Sequence, residues 1–197
     1  MISIAITGGI GSGKTEVTNY LMSKGFTVID ADKMSREMTA AGGKAIPYIR
    51  EHFGERFILE DGSLDRAAMR DLIFRDPEKK ILLEQGTTKV ILEDIEAIRK
   101  NREESGDKAL FFDIPLLFET GTETDYDAVL VVTADYETRK TRIMARDAID
   151  PAIIDLIMDT QADEERKIAL ADFVIFNNGT IDELHDAVDQ LIKKLEF

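Results

Sequence analysis

The residues best suited to chemistry lie near the amino terminus, where residues 8–15 read GGIGSGKT. This segment fits G-x-x-x-x-G-K-[ST], with Gly8, Gly13, Lys14 and Thr15 at the fixed positions. Glycines in such a loop let the backbone turn its N–H groups toward phosphate oxygens. The lysine can reach the terminal phosphates, and the threonine hydroxyl can hold Mg²⁺. The motif therefore predicts binding of a nucleoside triphosphate; the alternative is a chance glycine turn after a strand.

Three aspartates follow predicted strands and are candidates for acid–base or metal chemistry. Phosphoryl transfer to a hydroxyl needs a group that orients the acceptor and takes its proton. Asp32 can be that base, or it can merely cap a helix starting near Lys33. Asp30 is interpreted as structural or as a ligand of metal-bound water. Asp113 either contacts Mg²⁺ through water or accepts a hydrogen bond from a loop backbone.

Basic residues are few in this acidic chain, and three of them share a helical spacing. Arg139, Arg142 and Arg146 follow one another at i, i+3 and i+7, which predicts one face of a helix. Such a face is either solvated or a clamp on phosphoryl groups. The segment that follows, residues 147–163, has the character of a closing lid, with Arg166 just beyond it.

Two further segments are candidates for contact with a second substrate. Arg66 stands at the start of a predicted helix and is either a surface residue or a contact to an anionic acceptor. Residues 116–118, Leu-Leu-Phe, either belong to the core or form the wall of an apolar substrate slot.

Composition limits the classes of function that remain. The chain has 197 residues, of which 44% are hydrophobic, which suits one domain with a small insertion or lid. A net charge of -14 argues against nucleic-acid binding, and the absence of Cys excludes disulfides and thiolate metal sites. There is no apolar run of membrane-spanning length and no secretory leader, so we expect no membrane partner and a cytoplasmic location.

The elements that must position these residues alternate along the chain. Apolar runs predict five strands, at residues 2–7, 26–29, 109–114, 128–133 and 173–176. Apolar periodicity predicts connecting helices at residues 14–24, 34–39, 136–146, 151–161 and 181–195. This alternation indicates the α/β class, with a parallel sheet covered on both faces and a site at the strands' carboxyl ends. A helical insertion is predicted between them, with helices at residues 45–53, 66–74, 77–85 and 89–102.

These motifs together resemble those of the dephospho-CoA kinase family. The resemblance covers almost the whole chain in order, through residues 8–15, 28–32, 64–66 with 73–74, 114–119, 142–147 and 171–179. It implies a P-loop NTPase-type three-layer α/β/α fold in one domain, residues 1–197, with an acceptor-binding insertion at about residues 45–102 and a lid at about residues 139–166. It also implies Mg²⁺-assisted transfer of the γ-phosphoryl of ATP to the ribose 3′-hydroxyl of dephospho-CoA, the last step of coenzyme A synthesis. We expect a monomer or a weak homo-oligomer.

The resemblance also assigns roles to residues. Asp32 matches the family's proposed base, and Lys14 and Arg142 join it as catalytic residues. The implied ATP-binding residues are Gly9, Gly11, Ser12, Gly13, Lys14, Thr15, Glu16, Arg142, Arg146, Asn177 and Gly179, with residues 177–179 near the adenine. Thr15 is the implied metal ligand. The implied acceptor-binding residues are Asp32, Arg66, Leu116 and Glu119.

One departure from the family pattern lies in the helical insertion. The family usually carries a His-Pro pair where this chain has Thr88-Lys89, and Lys89 is a candidate replacement cation there. Two other functions stay open: a P-loop kinase with the same core and a different acceptor, and a regulatory nucleotide-switch NTPase. Against the switch, the chain has no Asn-Lys-x-Asp base-reading motif, and a switch needs no large acceptor-binding insertion.

Overall fold

A five-stranded parallel sheet organises the computed structural model, which describes residues 1–195. Its strands are β1 (Ile2–Thr7), β2 (Thr27–Asp30), β3 (Ala109–Asp113), β4 (Ala128–Thr133) and β5 (Phe173–Phe176). Their order across the sheet is β2-β3-β1-β4-β5, and every pairing is parallel. All five predicted strands are confirmed; β2 lies one residue later than expected, and β3 ends one residue earlier.

Within residues 1–195, ten α-helices connect or follow these strands along the chain. They are α1 (Lys14–Ser23), α2 (Ala31–Met38), α3 (Ile46–Phe53), α4 (Arg66–Arg75), α5 (Pro77–Glu104), α6 (Leu117–Thr120), α7 (Tyr136–Asp147), α8 (Pro151–Asp159), α9 (Glu164–Leu170) and α10 (Ile181–Lys194). The sequence did not predict α6 and α9, which are short. No helix among residues 1–195 is both long enough and apolar enough to cross a membrane.

The chain divides into two compact units. The first contains Met1–Asp30 and the described chain from Gly106 onward, and the second is Ala31–Ser105. In the first unit, helices α1 and α10 cover one face of the sheet through Val17, Leu21, Leu184, Val188 and Leu191. Leu117 and Phe118 of α6 pack on the other face. Apolar residues on both faces explain why β1 and β4 are nearly continuous hydrophobic runs.

The register of the sheet brings several strand ends together in the first unit. Ile6 of β1 is paired with Asp113 of β3, and Asp113 is in turn paired with Asp30 of β2. On the other side of β1, Thr7 is paired with Val131. The loop that follows Thr7 therefore starts at the carboxyl edge of the sheet, beside Asp113.

The second unit is built from α2 to α5 and contains the predicted insertion. Its core consists of Met38, Ala45, Ile46, Ile49, Phe53, Phe57, Leu64 and Met69. Two aspartates begin its longer helices: Asp65 accepts a hydrogen bond from the Ala68 N–H, and Asp76 caps α5 ahead of Pro77.

Helix α5 corrects one expectation. We predicted two helices, at residues 77–85 and 89–102, but α5 runs without a break through Gly86. The ring of Tyr48 occupies the space that a Cβ on Gly86 would need, and the Tyr48 hydroxyl donates to the carbonyl of Leu82 at 2.8 Å. Gly86 is therefore a packing glycine, and tertiary contact outweighs its poor helix propensity.

Helix α2 corrects a second expectation. It begins at Ala31, directly after β2, rather than near residue 34. Asp32 therefore lies inside the first helical turn, where a carboxylate interacts favourably with the helix dipole. The interpretation of Asp32 as the cap of a helix starting near Lys33 is wrong.

Candidate active site

The loop between β1 and α1 has the shape of an anion cradle. Gly11 and Gly13 have φ of 79° and 93°, a left-handed conformation that favours glycine. Gly13 caps α1 without any side-chain hydrogen bond. Within residues 1–195, the N–H groups of Gly13, Lys14 and Thr15 make no hydrogen bond. Open N–H groups at a helix amino terminus bind anions such as phosphate.

Polar atoms around the loop support the same interpretation. The Ser12 hydroxyl is buried and has no hydrogen-bond partner among the described residues. The Ser12 N–H donates to the carbonyl of Gly9 at 3.1 Å, which folds the loop back on itself. Buried polar atoms without partners are rare in folded proteins, so a loop with an orphaned hydroxyl fits a polar ligand.

Lys14 forms an ion pair that the sequence did not reveal. Its Nζ atom contacts Oδ1 of Asp113, and both side chains are largely buried. The contact follows from the sheet register, because Asp113 is the partner of Ile6, just before the loop. Asp113 was expected to contact Mg²⁺ through water or to accept from a loop backbone, and the observed partner is the lysine.

Asn177 braces the loop from the end of β5. Its Nδ2 atom donates to the carbonyl of Ser12 at 2.8 Å, and the side chain fills the space beside Gly13. Arg142 in turn donates from Nη1 to the Asn177 carbonyl at 2.9 Å. The predicted ATP-binding residues Ser12, Gly13, Arg142 and Asn177 thus lie together.

Thr15 and Glu16 follow at the first turn of α1. Thr15 is exposed, and its hydroxyl makes no hydrogen bond with any residue that the structure describes. The Glu16 carboxylate lies 2.9 Å from Nε2 of His185, whose ring stacks on Tyr20 at 3.8 Å between centroids. Thr15 is open to a ligand, whereas Glu16 already has a partner on α10.

The three arginines of α7 have three different surroundings. Arg139 is 8% exposed and pairs with Glu164, so the solvated-face interpretation is wrong for it. Arg142 donates a hydrogen bond to the Asn177 carbonyl. Arg146 is exposed and makes a two-pronged ion pair with Asp147, at 2.7 and 2.6 Å. This hydrogen bonding lowers the pKa of Asp147 and raises that of Arg146.

The predicted acceptor-binding residues of the first unit differ in their surroundings. Leu116 is 51% exposed, whereas Leu117 and Phe118 belong to the core. Glu119 accepts a hydrogen bond from the Ala162 N–H at 2.7 Å through Oε1. Gly179, a predicted ATP-binding residue, precedes the capping box that starts α10.

The second unit holds the other candidates. Asp32 is exposed, and its carboxylate makes no hydrogen bond or ion pair within the described part of that unit. Arg66 donates to the Thr39 hydroxyl at 2.5 Å and to the Ser35 carbonyl at 3.4 Å, which ties α4 to the end of α2. Lys89 is exposed on α5 and lies 4.0 Å from Glu93.

Two oxygen-bearing side chains near the loop could serve a bound Mg²⁺. Magnesium prefers oxygen ligands and usually uses one or two protein groups together with substrate phosphates. The Thr15 hydroxyl and the Asp113 carboxylate are oxygen donors in the first unit. No group of three or more His, Cys, Asp or Glu suited to a metal occurs among residues 1–195. The residues present therefore fit a magnesium ion carried with phosphates.

Comparison with known proteins gives consistent matches over nearly the full length. A family model described as dephospho-CoA kinase matches residues 2–183. A dephospho-CoA kinase of Burkholderia thailandensis is 42% identical over 186 residues, 93% of this chain and 90% of the relative. A solved Thermus thermophilus structure aligns with a TM-score of 0.72 at 31% identity, covering 98% of this chain and 97% of that one. The dephospho-CoA kinase from Campylobacter jejuni aligns at 0.67 and 27% identity, covering 98% and 96%.

Proposed function

The chain belongs to the dephospho-CoA kinase family and phosphorylates dephospho-CoA, and we propose that residues 8–15 hold the ATP phosphates while Asp32 takes the acceptor's proton. The observation that carries the donor half is the open amino terminus of α1, where the N–H groups of Gly13, Lys14 and Thr15 make no hydrogen bond within residues 1–195. The acceptor half is supported by the exposed Asp32 carboxylate, which has no partner within its own unit.

The proposed reaction transfers one phosphoryl group from ATP to a ribose hydroxyl. The ribose 3′-hydroxyl oxygen of dephospho-CoA forms a bond to the γ-phosphorus of ATP, and the bond from that phosphorus to the bridging oxygen breaks. ADP leaves with the electron pair, and the hydroxyl proton passes to the Asp32 carboxylate. Lys14, Arg142 and Arg146 supply positive charge for the phosphoryl oxygens. Gly9, Gly11, Ser12, Gly13, Glu16, Asn177 and Gly179 shape and line the donor site.

We propose Thr15 as the protein ligand of Mg²⁺, because its hydroxyl is exposed and unpaired in the described chain. When bound, the ion would neutralise charge on the phosphate oxygens. Asp113 holds Lys14 at the same end of the sheet and keeps the ammonium group beside the loop.

We propose that four residues contact the acceptor: Asp32, Arg66, Leu116 and Glu119. Arg66 offers an exposed guanidinium to an anionic substrate, and Leu116 offers an exposed apolar side chain. Glu119 accepts from the Ala162 N–H through Oε1, and its second carboxylate oxygen would contact the acceptor. We further propose that residues 45–102 bind the acceptor and that residues 139–166 act as a lid. We also propose that the enzyme works in the cytoplasm, as a monomer or a weak homo-oligomer.

The test is a direct assay with Mg²⁺-ATP and dephospho-CoA, read by mass spectrometry for a product one phosphate heavier. Phosphorus–proton coupling to the ribose 3′ proton identifies the acceptor oxygen. Coupling to another proton would overturn the 3′ assignment. ADP formation that does not depend on the acceptor would favour a nucleotide switch, and intact ATP would favour a kinase for a different acceptor.

A further inference from the structure

Arg139 is buried directly against the phosphate loop. Its side chain is among the few charged ones in the buried part of the chain, at 8% exposure. The Nη1 atom occupies the space that a Cβ on Gly9 would need. The Arg139 carbonyl lies 2.7 Å from the Cβ position of Gly11. Arg139 is therefore packed against two glycines of the loop.

Glu164, the first residue of α9, holds this guanidinium in place. Its Oε2 atom accepts from Nη1 of Arg139 at 3.2 Å, and its Oε1 atom accepts from the Thr133 hydroxyl at 2.5 Å. The buried Lys167 ammonium lies 3.6 Å from Oε2. One carboxylate thus connects the end of β4, helix α7 and helix α9. Removal of Glu164 would leave the buried Arg139 guanidinium without its acidic partner, whereas removal of Arg139 would leave Lys167 beside the carboxylate.

A second contact from the same segment reaches the loop. Oε1 of Gln161 accepts a hydrogen bond from the Ile10 N–H at 2.9 Å. The Cβ position of Gly9 lies 3.2 Å from this Gln161 oxygen and 3.3 Å from Oε2 of Glu164. Residues 161–164 therefore support the loop directly at Gly9 and Ile10.

Packing alone does not explain a charged residue at this place. The Nε atom of Arg139 is buried without a hydrogen-bond partner among the described residues. A buried donor without a partner is unfavourable, and an apolar side chain of similar length would avoid that cost. The guanidinium is kept beside the loop despite this cost, which points to a role in the site that the loop forms.

We propose that Arg139 and Glu164 are positioning residues of the ATP site. The pair fixes the backbone from Gly9 to Gly11, and with it the direction of the N–H groups at the start of α1. It also couples the shape of the loop to the amino terminus of α9. This inference rests on the proposed role of residues 8–15 in binding ATP.

The test separates binding of ATP from binding of the acceptor. For Arg139→Ala we expect the KM for ATP to rise about tenfold, equivalent to about 1.4 kcal/mol, with the KM for dephospho-CoA nearly unchanged. Glu164→Gln should also raise the KM for ATP, but by less than Arg139→Ala does. Lys24→Ala is the control, because Lys24 follows the carboxyl end of α1, pairs with Asp189 at 2.9 Å and has no proposed role in binding. A purely structural role would lower the thermal stability of the variants and leave the ratio of the two KM values unchanged.

Two further measurements cover a variant that does not fold and a failure of the proposed ATP site itself. If Arg139→Ala does not fold, Arg139→Gln and Glu164→Gln carry the test through calorimetric binding of ADP. Unchanged ADP binding in the folded variants would overturn the positioning role. Lys14→Ala is measured in parallel: normal transfer in that variant would overturn the loop's role in ATP binding, whereas a loss there with an unaffected Arg139→Ala would overturn this inference alone.

Discussion

The side-chain amide of Asn177 donates a hydrogen bond to the backbone carbonyl of Ser12 at 2.8 Å, across 165 positions of sequence. The amide also fills the space beside Gly13, and its residue's carbonyl accepts from Arg142. The end of β5 therefore braces the phosphate loop and holds Arg142, the proposed catalytic arginine. The role of residues 177–179 near the adenine stays a prediction.

Asn177→Asp tests this brace with almost no change of shape. The variant loses the N–H donor and faces the Ser12 carbonyl with an oxygen, so we expect a loss of about 1–3 kcal/mol in the free energy of unfolding. ADP binding should weaken as well. Chemical denaturation and calorimetry measure the two effects.

Asn178→Asp is the matched control for that change. Oδ1 of Asn178 accepts from the Asp135 N–H at 2.7 Å, and an aspartate keeps that acceptor. Equal losses in the free energy of unfolding of the two variants would show that the Ser12 contact does not stabilise the protein in particular.

Asp32→Asn tests the proposed base. The amide cannot take the hydroxyl proton, so we expect turnover to fall by about 10²–10⁴ while ATP binding is kept. Steady-state kinetics and ADP titration measure these quantities. Glu37→Gln on the same exposed helix is the control, since Glu37 lies 3.8 Å from Lys33 and has no proposed role. Near-normal turnover in Asp32→Asn would remove Asp32 from the role of base.

Gly86→Ala tests whether packing or helix propensity governs α5. Propensity alone favours alanine by about 1 kcal/mol. The new methyl group would overlap the Tyr48 ring, and overpacking of this kind costs about 1–3 kcal/mol. We therefore expect a net loss of stability in thermal unfolding. Thr88→Ala, an exposed change two residues further along α5, should shift stability by less than about 0.5 kcal/mol. A more stable Gly86→Ala protein would contradict the packing argument.

The capping box of α10 gives a pH prediction. Hydrogen bonds from the Thr180 backbone and hydroxyl lower the pKa of Glu183 below its ordinary value of 4.5. The carboxylate's contribution to stability is therefore present above pH 4.5 and is lost as the pH falls through the lowered pKa. Chemical denaturation of the wild-type protein at pH 4.5 and below should show this loss in the free energy of unfolding.

Glu183→Gln isolates the contribution that ionisation of the Glu183 carboxylate makes to stability. Glutamine can keep the reciprocal hydrogen bond of a capping box but does not titrate there, so its stability should depend less on acid pH than that of the wild type. Asp182→Asn, one residue earlier, should leave the wild-type dependence in place. Identical pH profiles for Glu183→Gln and the wild type would contradict the prediction.

The sequence was most informative where one local pattern decides the structure. The strands at residues 2–7, 128–133 and 173–176 were predicted to the residue, because continuous apolar runs bounded by turn residues identify buried parallel strands. The start of α1 at Lys14 followed from the motif itself. The start of α2 was missed because the helix follows β2 without a turn signal.

The contacts within the site depend on chain topology and could not be predicted from local patterns. Lys14 meets Asp113 because β3 lies beside β1, and strand order cannot be deduced from a single sequence. The helical spacing of three arginines predicted a shared face of α7. It could not show that Glu164, on a helix that the sequence did not predict, would bury Arg139.

The sheet order also determines when the nucleotide site can exist during synthesis. The phosphate loop is made well before the residues that hold it: Asp113 is 99 residues beyond Lys14, and Asn177 is 165 residues beyond Ser12. A growing chain therefore carries the phosphate-binding motif long before it has the carboxylate and the amide that hold the loop. On this basis, the proposed ATP site can complete its folding only after Asn177 has been made, long after its sequence motif.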